Sequence, residues 1–130
     1  MRGRVEWKGG SRVDCFNESG NKLEIDWNGG PSPVQVTLQM IGACSLADIQ
    51  TGLKDRKVEK IWIELDAERA ESAPRVFTKV NMVYHIEGEA PMKLVKRLVH
   101  KSHETYCSVS NMFNSTVEFT SSVVVNGEIG

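Results

Sequence analysis

Cysteine is scarce in this chain: Cys15, Cys44 and Cys107 are an odd number, widely spaced, with no CxxC pair. That excludes the disulfide framework of a small secreted module and the pattern of a zinc ribbon, and leaves reduced thiols as the expectation. Long apolar runs are also missing. No stretch approaches the ~20 residues of a spanning helix, and the opening MRGRVEWKGG is basic but lacks the apolar core of a secretory signal. The expectation is a soluble, cytoplasmic protein with no membrane partner. Excess charge of one sign is absent too: 16 Lys and Arg against 17 Asp and Glu leave a formal net charge of -1. Nucleic acid is therefore not expected as a partner, because phosphate backbones attract clustered cations. No repeat or low-complexity segment occurs. What is present is an ordinary globular composition, 40% hydrophobic and 25% charged, at a length that suits one domain over residues 1–130.

Apolar residues recur at every second position in Val5 and Trp7, in Val13 and Cys15, and in Leu23, Ile25 and Trp27, with glycine-rich turns between. This spacing predicts a meander of three short antiparallel strands. Val34, Leu38, Ile41, Cys44, Ile49 and Leu53 then follow a helical period over about residues 34–53, with Ser32 as N-cap and Pro33 in the first turn. Almost no charge precedes Asp48, so this helix is expected to be largely buried. Alternation returns over 57–70 and 75–87 and predicts a long hairpin. An amphipathic helix follows after Pro91 with Met92, Val95, Leu98, Val99 and Ser102 inward and a basic outer face, then a short helix from Cys107 and a closing strand through Val117–Val125. The expected string is β-β-β-α-β-β-α-α-β, an α+β fold.

Two readings are open for Cys44, which lies within the apolar helix behind Gly42 and Ala43: a buried structural thiol, or a reactive thiol with room for close approach. Cys107 joins two helical segments. A thiol at a helix N-terminus faces unpaired N–H groups that favour thiolate, so it is a candidate reactive group as well as a small joint residue.

Three segments taken together carry a resemblance: PSPVQVTLQMIGACSLADI (31–49), ERAESAPRVFTKV (68–80) and ETYCSVS (104–110). In this order they are similar to the OsmC/Ohr family of thiol-dependent peroxidases, and most of all to its OsmC-like, YhfA-like subgroup, which carries G-x-C-x-x-x-D, E-R-x(4)-P-R-x-F-T and Y-C-S-V-S. The resemblance covers essentially the whole chain. It implies antiparallel sheets packed around central buried helices in an intertwined homodimer, with active sites at the subunit interface. It further implies a thiolate at Cys44 that attacks an organic hydroperoxide and becomes a sulfenic acid, which Cys107 resolves as a disulfide. A dithiol reductant, a lipoyl protein among the candidates, then reopens it. Neither a cofactor nor a metal is implied. The alternative is a noncatalytic ligand-binding or redox-sensing dimer of the same fold.

Peroxidase members pair a strand arginine with a helix glutamate, and the corresponding helix positions here are Val34 and Gln35. Gln35 can orient a donor but cannot hold an arginine by charge. Arg12, in a Gly-Gly-Ser-Arg context on an early strand, is the candidate active-site cation; a solvated surface arginine is the other reading. Glu104 and Asp48 are read as helix-surface and helix-polar contacts. His100, His103, Glu104 and Cys107 form a run that could ligate zinc only if the helix continued unbroken. Cys15 is expected on a core face, Trp62 on the outward face of the hairpin, and Arg69, Arg75 and Lys79 are expected to balance the acidic residues beside them.

Overall fold

The computed structural model describes residues 1–130, and the chain divides into two compact units, Met1–Leu38 and Gln39–Gly130. The first holds the expected meander, β1 (Gly3–Trp7), β2 (Arg12–Asn17) and β3 (Lys22–Asp26), in one antiparallel sheet of order β1-β2-β3. Val5 pairs with Cys15, Trp7 with Val13, Cys15 with Leu23 and Val13 with Ile25, so the alternating apolar residues share one face. Only Ile25 of that face is buried; Val5, Trp7 and Leu23 are 67%, 70% and 44% exposed.

Helix α1 (Pro33–Gly52) starts on a capping box. The Gln35 N–H donates to Ser32 Oγ at 3.2 Å, and the Ser32 N–H donates to Gln35 Oε1 at 2.9 Å. That closure supports a first turn containing Val34, Val36 and Thr37, which are poor helix formers. Burial of α1 is narrower than its apolar sequence predicts: Ile41, Gly42, Ser45 and Ile49 are buried, while Met40 is 42% exposed. The helix is apolar on more than one side, and in the single chain only one stripe is covered.

In the second unit, β4 (Val58–Arg69) and β5 (Phe77–Gly88) form the long hairpin. Ile61 faces Ile86, Ile63 faces Tyr84, Leu65 faces Met82 and Ala67 faces Val80. Val80, Met82 and Tyr84 are 0% exposed and Ile86 1%, the floor of the core. Gly42 of α1 lets this hairpin approach, since a Cβ there would lie 2.8 Å from Leu65 Cδ1. At the turn, Arg69 Nε donates to the Arg75 carbonyl at 3.0 Å and Arg75 Nε to the Ala70 carbonyl at 3.2 Å. These arginines brace backbone rather than balance the neighbouring acids. Trp62 stacks on His85 with ring centroids 4.6 Å apart, and His85 meets Glu64 at 2.8 Å.

Helix α2 (Met92–Lys101) buries Val95 and Val99, widens into a π-helical turn over Ser102–Tyr106, and is followed by α3 (Ser108–Asn111). The chain then returns as β6 (Glu118–Val125) and a short β7 (Glu128–Ile129) in a sheet of order β4-β5-β6-β7. The expectation of purely antiparallel sheets needs one correction: β6 runs parallel to β5, with Val80 beside Phe119 and Ile86 beside Val125. The helical crossover between them allows re-entry from the same end, which a tight turn could not. The fold is α+β as expected.

Candidate functional site

Cys44 lies on α1 between the buried Ile41 and Ser45 and is itself half-buried, whereas Cys107 is 0% exposed. The Cys107 thiol lies against α1, its Sγ 4.0 Å from the carbonyl oxygen of Ile41 three residues before Cys44, and Cys44 is near enough to raise its pKa. Local backbone geometry explains why Cys107 is held there. Its N–H donates to the Ser102 carbonyl at 2.7 Å, closing the wide turn, and its carbonyl accepts from Asn111 Nδ2 at 2.8 Å. Its side chain caps α3, with Sγ 3.4 Å from the Ser110 N and 4.0 Å from the Ile41 carbonyl oxygen.

Burial pushes the Cys107 thiol up; the Ser110 side chain and N–H pull it down but do not reverse this, and neighbouring Cys44 adds to the rise. The thiolate-favouring helix terminus expected from sequence is therefore outweighed. A helix of four residues brings few oriented N–H groups, and desolvation dominates.

A chain of polar groups, buried at its centre and half-buried at both ends, joins the helix of Cys44 to the turn that precedes Cys107. Ser102 Oγ donates to Asp48 Oδ2 at 2.8 Å, Ser45 Oγ lies 2.8 Å from Ser102 Oγ and 2.5 Å from Tyr84 OH, and Tyr84 OH lies 2.7 Å from His103 Nε2. Ser45, Ser102 and Tyr84 are 0% exposed. Burial raises the Tyr84 hydroxyl far above its usual range and lowers His103, with the Asp48 charge opposing the latter. His103 Nδ1 is buried without a partner.

Residues 26–122 match the family model described as OsmC-like protein. The chain belongs to the OsmC-like family. It is 34% identical over 131 residues to Protein YhfA of Escherichia coli, an alignment spanning 96% of this chain and 98% of that one. A hypothetical protein from Aquifex aeolicus superimposes with a TM-score of 0.89 at 25% identity, covering 96% and 95% of the two chains. The organic hydroperoxide resistance protein OhrB of Bacillus subtilis does so with a TM-score of 0.61 at 16% identity, covering 95% and 98%, a likeness of fold.

Within this family fold, Cys107 is brought against the helix that carries Cys44. Arg12 belongs to the other compact unit, where it opens β2, is exposed, and lines a cavity of about 480 Å³ with Lys8, Asp14, Glu24 and Asp26. The Asp26 carboxyl there is held below its usual range, first by the Gly29 N–H, then by the Ser11 hydroxyl and Asn28 N–H, with Arg12 contributing least. Of Val34 and Gln35, which stand where the family resemblance calls for glutamate, Gln35 is engaged in the capping box. Asp48 is a helix polar contact, as expected, through Ser102. Glu104 is half-exposed and pairs with His100 at 2.8 Å. Because His103 turns to Tyr84 and the helix widens at Ser102, the His100 to Cys107 run does not share one face.

Sequence reasoning passed over Ser45, Tyr84 and Ser102 as chemistry. A signal existed: Tyr84 and Ser102 both occupy positions of apolar stripes, and a polar residue in a core stripe needs a partner.

Proposed function

We propose that this chain is a thiol-dependent peroxidase acting on organic hydroperoxides. The observation that carries the reading is the placement of the Cys107 thiol against α1, at the Ile41 carbonyl three residues before Cys44, in a chain of the OsmC-like family. The more accessible Cys44 attacks the terminal oxygen of the O–O bond as thiolate. Its sulfur loses two electrons and becomes sulfenic acid, while the alkoxide leaves and takes up a proton as alcohol. The Cys107 sulfur then attacks the Cys44 sulfur, the S–O bond breaks, and the departing hydroxide leaves with the thiol proton as water. A dithiol reductant returns the disulfide to two thiols and is itself oxidised to a disulfide. Division of labour follows burial: a half-buried thiol meets peroxide, and a fully buried protonated one is spared direct oxidation.

The active form is a homodimer in a reducing, cytoplasmic setting. The uncovered apolar stripe of α1 and the open face of β1 to β3 support a second copy as their cover. No helix is long and apolar enough to cross a membrane.

One observation favours a second reading, a redox-sensing dimer with slow peroxide turnover: Gln35 closes a helix cap and provides no carboxylate for an arginine. Adding cumene hydroperoxide to reduced protein and mapping disulfides by mass spectrometry separates the two. The peroxidase reading expects a Cys44–Cys107 link and cumyl alcohol within seconds and repeated turnover with a dithiol. A link that forms once and is not turned over supports the sensor, and no link removes both.

A further inference from the structure

The polar chain that joins α1 to the turn before Cys107 has a direction that its end groups dictate. The Asp48 carboxylate can only accept, so Ser102 spends its one hydroxyl proton there at 2.8 Å. Ser102 must then accept from Ser45 at 2.8 Å, Ser45 from Tyr84 at 2.5 Å, and Tyr84 from the Nε2–H of His103 at 2.7 Å. The histidine thereby carries a proton on Nε2, while its Nδ1 is buried without a partner. Such a one-way chain, sealed at Ser45, Tyr84 and Ser102, polarises its members in the same sense.

Its members come from three elements. Asp48 and Ser45 lie on α1, Ser45 next in sequence to Cys44; Tyr84 lies on β5; Ser102 and His103 lie in the turn that ends at Cys107. Ser102 is the joint. Its side chain binds Ser45 and Asp48, while its carbonyl takes the N–H of Cys107 at 2.7 Å. The His103 carbonyl accepts from Asn111 Nδ2 at 3.1 Å, and the same nitrogen binds the Cys107 carbonyl at 2.8 Å. The π-helical widening gives consecutive residues, Ser102 and His103, to the chain, a feature that wide turns bring mostly to functional sites.

We propose that Ser45, Tyr84, Ser102 and His103 are positioning residues for the dithiol: anchored on Asp48, their hydrogen-bond chain holds the turn carrying Cys107 against the helix carrying Cys44. This rests on the dithiol reading above but not on peroxide chemistry. The chain fixes the sulfur pair before reaction, so closing the disulfide orders little that was mobile and its effective concentration is high. The hydrogen bonds of the four side chains run to one another and to Asp48, and none goes to the reacting sulfurs.

The test is the equilibrium of the reduced protein with glutathione disulfide, which yields the Cys44–Cys107 disulfide and two glutathione thiols, read by alkylation and mass spectrometry. Tyr84→Phe keeps the ring but leaves the Ser45 oxygen without a donor and His103 Nε2–H without an acceptor. Ser102→Ala breaks the chain at its joint. Each is expected to lower the equilibrium constant about tenfold, a shift of about 30 mV towards easier reduction. The double variant should do no more than either single one, because both cut the same chain. Val95→Ala, equally buried but outside the chain, lowers stability and should leave the constant within twofold of the parent. An unchanged constant in Tyr84→Phe and Ser102→Ala, or an equal shift in Val95→Ala, overturns the positioning role. A disulfide that forms with glutathione but never with peroxide leaves this role standing and removes the peroxidase; a parent that forms no disulfide overturns both.

Discussion

The two sheets are written in the same alternating pattern and end in opposite states. Along β5 the apolar face is sealed, with Val80, Met82 and Tyr84 at 0% exposure, while Val5 and Trp7 of β1 stand 67% and 70% exposed. Alternation records that a face is to be covered but not by what. The second sheet finds its cover in helices of its own unit; the first keeps its apolar face open in the single chain, which is the physical basis for expecting a second copy. The two thiols repeat the contrast, one half-buried and one sealed.

The contrast between the thiols gives the largest expected effect. Cys44→Ser should abolish peroxide consumption, whereas Cys107→Ser should permit one turnover and then let Cys44 advance to sulfinic acid, both read by intact-mass spectrometry. Equal loss without overoxidation would reverse or remove the assigned order. The contrast between the sheets comes next. Met82→Ala should cost about 3 kcal/mol in chemical denaturation, a buried truncation that leaves a cavity. Val5→Lys should change the stability of the isolated chain by no more than about 0.5 kcal/mol while weakening self-association in sedimentation. If Val5→Lys leaves the dimer intact, the open face is not the interface.

A smaller effect concerns His103, whose pKa is lowered chiefly by burial. Between its depressed folded value and the unfolded value of about 6.5, the unfolded chain binds more protons, so stability rises with pH across that window and falls on acidification through it. His103→Gln should flatten this slope in parallel denaturation series; an identical slope would show that other groups set it. The smallest expected change on the fold is that of Gln35→Glu, which can keep the capping box, for which Glu serves as well as Gln. The melting temperature should hold in a thermal denaturation series, and a clear loss would show that the Gln35 amide does more than close the cap.

Much of this architecture is legible in residues alone. The meander, α1, the hairpin and α2 follow from periods of two and of 3.6, whereas the pairing of Cys44 with Cys107 is what the resemblance of residues 31–49, 68–80 and 104–110 to the OsmC/Ohr family implies. Strand direction does not: nothing in Val117 to Val125 tells whether β6 joins β5 parallel or antiparallel, because the choice is made by the crossover. The widening at Ser102 was equally silent, as its sequence SHETY fits a regular helix. Arg69 and Arg75 misled, since their acidic neighbours suggested ion pairs while the backbone of the turn offered better acceptors. The polar chain escaped because Tyr84 and Ser102 read as members of apolar stripes, and their partners Ser45, Asp48 and His103 come from other positions that only the fold brings together.

The central claim is that Cys44 and Cys107 act as one two-electron centre towards peroxide. Titrating the reduced protein with cumene hydroperoxide, under exclusion of air and with free thiols counted and assigned by alkylation, tests it directly. The account expects two thiols lost per peroxide consumed, both from the Cys44–Cys107 pair, with Cys15 still free. Loss of a single thiol, loss shared with Cys15, or no loss at all would contradict it.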